Sequence, residues 1–193
     1  MDFLNSIILL TNFIIVPGIT YGSQLALGAI GVTLIYGVLR FANFAYGDLM
    51  AFGTMVVILM TWYLQSKGIS FGLLPTALLA LPIGILLTIA VSLFFDKTVF
   101  EYYRNKKSNP VTFIVVSLGI MFVLNAVVRI IIGPNDINFM DGHKFIMKAR
   151  EFKQLTGLNE GLAIKSTQVI TLVTTIITCS ILFYFLNKTK TGK

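Results

Sequence analysis

Long, nearly uncharged apolar runs constrain this chain more than any other feature. Six of them extend from Phe3 to Val16, Ile19 to Leu39, Leu49 to Leu64, Phe71 to Phe95, Val111 to Gly133 and Thr167 to Leu186. Several approach or exceed the roughly 18–20 residues that cross a bilayer as a helix. A transmembrane barrel would read as ~10-residue alternating segments, and these runs are continuous. Composition agrees: 56% of the 193 residues are hydrophobic and 12% charged, against about a quarter charged in a soluble domain. The expected fold class is all-α, a polytopic helical membrane protein with five or six transmembrane helices in a single domain over residues 1–193. The first run contains Asn5, Thr11 and Asn12 and is expected to end at Pro17-Gly18. It is short and polar for a full span, and fits an interfacial position or a tilted crossing equally well. The N-terminus does not read as a cleaved signal peptide, since Asp2 stands where a basic region is usual.

Between the second and third runs lies Tyr36 to Met50, with Arg40, Asn43 and Asp48 bracketed by Gly37 and Gly47. Lipid cannot satisfy such groups, so a polar stretch beside two spans needs a structural or functional reason. A re-entrant or broken-helix bend near 40–48 is expected. Arg40 reads as a cytoplasmic anchor and Asp48 as a helix N-terminal cap. Asn43 fits a bond across helices or a helix end, and Arg40 and Asp48 are close enough in sequence to pair across the bend.

The net charge of +7 comes from 15 Lys and Arg against 8 Asp and Glu. The basic residues lie mostly in loops, which suits topology determinants and anionic membrane lipid rather than nucleic acid. Asp96 to Pro110 reads as a short hydrophilic loop with Lys97, Arg104, Lys106 and Lys107. That loop and the basic tail are expected to be cytoplasmic, which places Arg40 inside and Lys67 outside. Residues 134–166 then form a long extracytoplasmic loop, despite Lys144, Lys148, Arg150, Lys153 and Lys165. Trp62 and Tyr63 resemble an interfacial aromatic belt. Cys179 is the only cysteine, so no internal disulfide forms. Neither Cys179 nor the single histidine, His143, supports a metal site, and no cofactor is expected.

Within the spans, Gly18, Gly22 and Ala26 recur at four-residue spacing, and Gly28 and Gly31 continue the small-residue surface. Such a face packs helices closely, within one subunit or against a second. Arg129 is the strongest intramembrane charge, one helical turn beyond Asn125 on the same face. It fits snorkelling to the interface, a structural ion pair or a substrate contact. Asn43, Tyr46, Asp48, Asn125 and Arg129 are the substrate-path candidates. No phosphate-binding GxxxxGK[ST], HExxH or GxSxG motif occurs, so the chain is not expected to be an enzyme.

Two segments carry a family resemblance. Leu27 to Leu49 reads Leu-Gly-Ala-Ile-Gly-Val-Thr-Leu-Ile-Tyr-Gly-Val-Leu-Arg-Phe-Ala-Asn-Phe-Ala-Tyr-Gly-Asp-Leu. It resembles the N-terminal signature of branched-chain amino acid permeases of ATP-binding-cassette (ABC) transporters, of the LivH type. Tyr46 stands where that family usually has histidine, and Phe41-Ala42 replaces a pair of isoleucines. Ser117 to Pro134 is similar to a second segment of the family, with Asn125, Arg129, Gly133 and Pro134 in register.

The resemblance implies an importer of Leu, Ile or Val across the bacterial inner membrane. It implies as partners a second homologous permease subunit, two cytoplasmic ATPase subunits and a periplasmic solute-binding protein. A urea or short-amide permease of the same superfamily is an alternative, as is a non-transporting membrane assembly protein. A secondary transporter would need a coupling-ion site, for which Asp48 alone is placed. Such permeases continue beyond the Thr189 to Gly192 motif into a coupling helix, so a truncated N-terminal portion is expected, or a shortened homologue.

Overall fold

A computed structural model describes residues 2–69, 74–135, 139, 145–156 and 160–188. His143 and the Thr189 to Gly192 motif lie outside the described residues. Helix α1 (Asp2–Leu10) passes through a π-helical turn (Thr11–Ile15) into α2 (Val16–Leu39). Then follow α3 (Tyr46–Ser66) and α4 (Ala77–Phe95), the latter continued by a π-helical turn (Asp96–Phe100) into α5 (Glu101–Asn105). Helix α6 spans Pro110–Ile132, α7 Ala149–Thr156 and α8 Ser166–Lys188; strands β1 (Phe145–Met147) and β2 (Ile164–Lys165) pair antiparallel.

Five of these helical stretches, among the described residues, are long and apolar enough to cross a membrane. Their outer faces are what lipid requires: Ile130, Val38, Phe122 and Leu86 are largely exposed, and few apolar side chains are buried. So much exposed apolar surface marks a membrane-facing molecule rather than a water-facing one. The chain is a multi-pass membrane protein.

Three boundaries differ from the sequence reading. The first apolar run does not end at Pro17-Gly18; it joins the second in one helical stretch, Asn5–Leu39, of 35 residues. A proline inside a helix removes one backbone hydrogen bond, and Pro17 sits just after the π-helical turn, where the ladder is already shifted. The hydrophilic segment after Phe95 is not a loop along its whole length. Helix continues to Asn105, and Asp96 and Arg104 pair across it at 2.8 Å. The long connection after Pro134 carries β1, α7 and β2.

The chain divides into two compact units, residues 1–30 with 142–193, and residues 31–141. In the first, Asn12 uses both ends of its amide: Nδ2 donates to the Gly161 carbonyl at 2.7 Å, and Oδ1 accepts from the Ala163 N–H at 3.0 Å. This polar residue in an apolar run therefore ties the N-terminal helix to the segment that leads into β2.

The second unit is built on α6. Ser117, Ile120 and Leu124 are its buried residues, at the spacing of a single helical face. Against that face lie α3, running parallel, and the bend that precedes it. The Phe44 N–H meets Ser117, and Asp48 meets Asn125. Helix α4 runs antiparallel to α3, with Gly53 against Thr88 and Gly84 against Val57. The bend at Arg40 and the turn at Ser108 share one end of this unit, because both line the same cavity.

Candidate functional site

The site grows from a break in the helix ladder. Helix α2 stops at Leu39, and Arg40 takes φ +60, a left-handed backbone that costs a non-glycine residue roughly 1–2 kcal/mol. Residues 41–45 then run beside α6 before α3 begins at Tyr46. Ser117, which faces the end of this segment, is seven residues into α6, so non-helical backbone penetrates about 10 Å from the start of that helix. Backbone at such depth must be satisfied by protein. The Arg40 N–H donates to the Tyr36 carbonyl at 2.9 Å, and the Phe44 N–H donates to Ser117 Oγ at 3.2 Å. The Ala45 N–H donates to Asn43 Oδ1 at 3.1 Å. Ser117 Oγ in turn donates to the Ile114 carbonyl at 2.8 Å, so a fully buried hydroxyl is used in both directions.

Packing holds the segment in place. Phe41 is buried between Phe100 and Phe113, with ring centroids 5.8 and 5.1 Å away. Ala45 is buried in the same cluster with Ile120 and Leu124. A small residue at 45 lets the new helix start hard against α6.

One turn into α3 the polar groups converge. Asn125 Nδ2 donates to Asp48 Oδ1 at 3.0 Å, and Arg129 Nε donates to Asn125 Oδ1 at 2.8 Å. The Asn125 amide thus stands between a carboxylate and a guanidinium and is aligned with both. Asp48 is three residues beyond the N-cap, in the first turn of α3. A cleft of about 290 Å³ opens here, lined by Asp48, Ala51, Ile58, Asn125, Val128, Arg129, Ile132, Gly133, Pro134 and Asn135. Gly133, at φ +104, ends α6 in the left-handed region that glycine accepts.

The structure brings Asp48, Asn125 and Arg129 together and puts Asn43 and Tyr46 elsewhere. Those two line a separate cavity with Tyr36 and Phe44, and the Tyr46 hydroxyl lies against Gly31. Several expectations for single residues change. Asp48 makes no capping bond, because it sits past the capping position and its side chain reaches α6. Asn43 neither ends a helix nor bonds across helices; its side chain folds the turn into α3. Arg40 and Asp48 are not paired, the one ion pair among the described residues being Asp96–Arg104. On the small-residue face, Gly31 is closely packed. Among the described residues nothing lies within 4 Å of where a Cβ would sit at Gly18, Gly22 or Gly28, and Ala26 is exposed.

A family model described as the permease component of the branched-chain amino acid transport system matches residues 14–193. The chain belongs to this permease family. The match takes in the bend, the Asp48–Asn125–Arg129 relay, most of the first membrane helix and the whole of the other four. The permease is 30% identical over 121 residues to the high-affinity branched-chain amino acid transport system permease protein LivH of Escherichia coli (strain K12). The protein of the same description from Salmonella typhimurium (strain LT2) is equally similar. In both cases the alignment covers 62% of the permease and 38% of the relative, so it spans well under half the length of these relatives. No solved structure matches the chain significantly.

Reading the sequence did not assign Ser117 its part in the permease, nor Phe41 its anchoring of the bend. A lone serine in an apolar run was the available signal for the first. For the second there was none, because one phenylalanine among 16 is indistinguishable before it is packed.

Proposed function

We propose that this permease forms part of the translocation path of an ABC importer for branched-chain amino acids in the bacterial inner membrane. The observation that carries the solute class is the relay. Asp48 keeps its second carboxylate oxygen, and Arg129 its two terminal nitrogens, outside the bonds that the relay makes among the described residues. A zwitterion offers an ammonium to the first and a carboxylate to the second, and the apolar walls of the same cleft accept a branched side chain. Weak, exposed contacts of this kind guide a solute without trapping it. A neutral amide such as urea can hydrogen-bond to these groups but forms an ion pair with neither.

ATP hydrolysis belongs to two cytoplasmic subunits, the path is completed by a second homologous permease, and a periplasmic binding protein delivers the solute. Support for these partners is the family membership and the similarity to permease proteins of high-affinity branched-chain amino acid systems.

The test is uptake of labelled leucine and labelled urea into vesicles carrying the complete complex. Saturable, ATP-dependent leucine uptake is expected. Asp48→Asn and Arg129→Gln should each raise the half-saturating leucine concentration severalfold. Urea uptake without leucine uptake would sink the proposal, as would leucine uptake indifferent to both substitutions.

A further inference from the structure

A further cavity, of about 400 Å³, opens at the end of the unit where α6 begins. Arg40, Arg104 and Ser108 contribute its polar rim, and Phe41, Phe100 and Phe113 its apolar wall. Asp96 and Glu101 act on Arg104, and Arg40 with Lys106 and Lys107 leaves this end of the unit net positive. Arg104 gives Nη2 to Asp96, but Arg40 is exposed and has no acidic partner among the described residues. Lys106 and Lys107, exposed on the adjoining turn, add to the positive potential. Arg40 also occupies left-handed backbone that glycine would adopt without strain. What arginine adds there is its guanidinium.

We propose that this cavity binds an anionic phospholipid. Its phosphate is held by the Arg40 and Arg104 guanidinium groups, with the Ser108 hydroxyl as a further donor. An acyl chain lies along the apolar wall. Guanidinium forks match phosphate oxygens, and basic pockets between membrane helices hold such head groups. The argument for a lipid over a free anion or an acidic peptide is the wall. An apolar lining of Val38, Leu39 and Pro110, backed by the largely buried rings of Phe41 and Phe100, suits an amphiphile beside two arginines, whereas a free phosphate leaves the apolar side empty. The inference rests on the membrane placement of the chain and not on the identity of the transported solute.

Native mass spectrometry of the full chain in neutral detergent, titrated with phosphatidylglycerol or phosphatidylcholine, tests it. Phosphatidylglycerol is expected to bind severalfold more tightly. Arg40→Gly and Arg104→Gln should each weaken it about fivefold, the effect of one basic residue at an anionic lipid surface. Arg40→Gly suits the local backbone, so its loss of binding cannot be put down to misfolding. Asp96→Asn, which releases Arg104, should strengthen binding, and Lys67→Gln near the opposite end of α3 should leave it unchanged. Equal binding of the two lipids would overturn the proposal, as would undiminished phosphatidylglycerol binding in the Arg40→Gly/Arg104→Gln double variant. Displacement of the lipid by millimolar inorganic phosphate would overturn it in favour of a free-anion site.

Discussion

Ser117 shows how much a single hydroxyl decides in a membrane protein. It is fully buried and accepts from the Phe44 N–H, a backbone donor that lipid cannot satisfy. Removing the acceptor leaves that amide unpaired, at a cost of about 1–3 kcal/mol. Ser117→Ala is therefore expected to lower stability by about that amount in unfolding measured in detergent, while Ser117→Thr, which keeps the hydroxyl, should lose less. An Ala variant as stable as the parent would show that Phe44 finds another partner. Asn125 works on the same principle but toward charge. Its amide, standing between Asp48 and Arg129, joins two groups that are costly in lipid singly.

Among the helices, closeness is set where side chains are missing. A Cβ at Gly84 would run into Val57 and approach the Gly53 carbonyl, and a Cβ at Gly53 would meet Thr88. Helices α3 and α4 thus touch backbone to backbone, which in lipid replaces the hydrophobic drive that water supplies. Thr88 and Thr61 turn their hydroxyls back to the carbonyls of Gly84 and Val57, so no polar group is left at this contact by either threonine. Gly119 in α6 is different: among the described residues nothing lies within 4 Å of its would-be Cβ. Gly84→Leu is expected to destabilise by about 1–3 kcal/mol through overpacking. Gly119→Ala should stabilise by roughly 0.5–1 kcal/mol through helix propensity. Detergent unfolding of the two variants side by side checks this, and similar shifts in both would refute the assigned contact.

On the scale of the whole unit formed by residues 31–141, the directions of α3, α4 and α6 follow from contacts. Helix α3 lies parallel to α6 and antiparallel to α4. The turns at Lys67 and Pro134 therefore fall at one end, and Arg40 and Lys106 at the other. The positive-inside rule predicts that the Arg40 end is cytoplasmic. In a Cys179→Ser background, Lys67→Cys should react with an impermeant maleimide from outside intact cells. Lys106→Cys should react only after permeabilisation. The reverse pattern would invert the topology.

By itself the sequence determined the solvent, the helical class and the break near 40–48. Those depend on continuous local signals: uncharged length, and polar residues too close together for lipid to hold. It also marked Asp48, Asn125 and Arg129, since charge and amide stand out in an apolar run. It misjudged where runs stop. Pro17 and the hydrophilic residues after Phe95 are signals to end a helix, yet π-helical turns at both places carry the ladder through. Only the tertiary structure decided which polar residues share a site. Asp48 and Asn125 are 77 residues apart and meet because α3 starts partway along α6. That register is set by the buried Ser117, Phe41 and Ala45, whose roles come from what they touch. The same register separates Asn43 and Tyr46 from the relay, although they are its near neighbours in sequence. Tyr46 lies two residues before Asp48 on α3 and so on its opposite side, whereas Asn43 precedes the helix, and no periodicity can be read through a break.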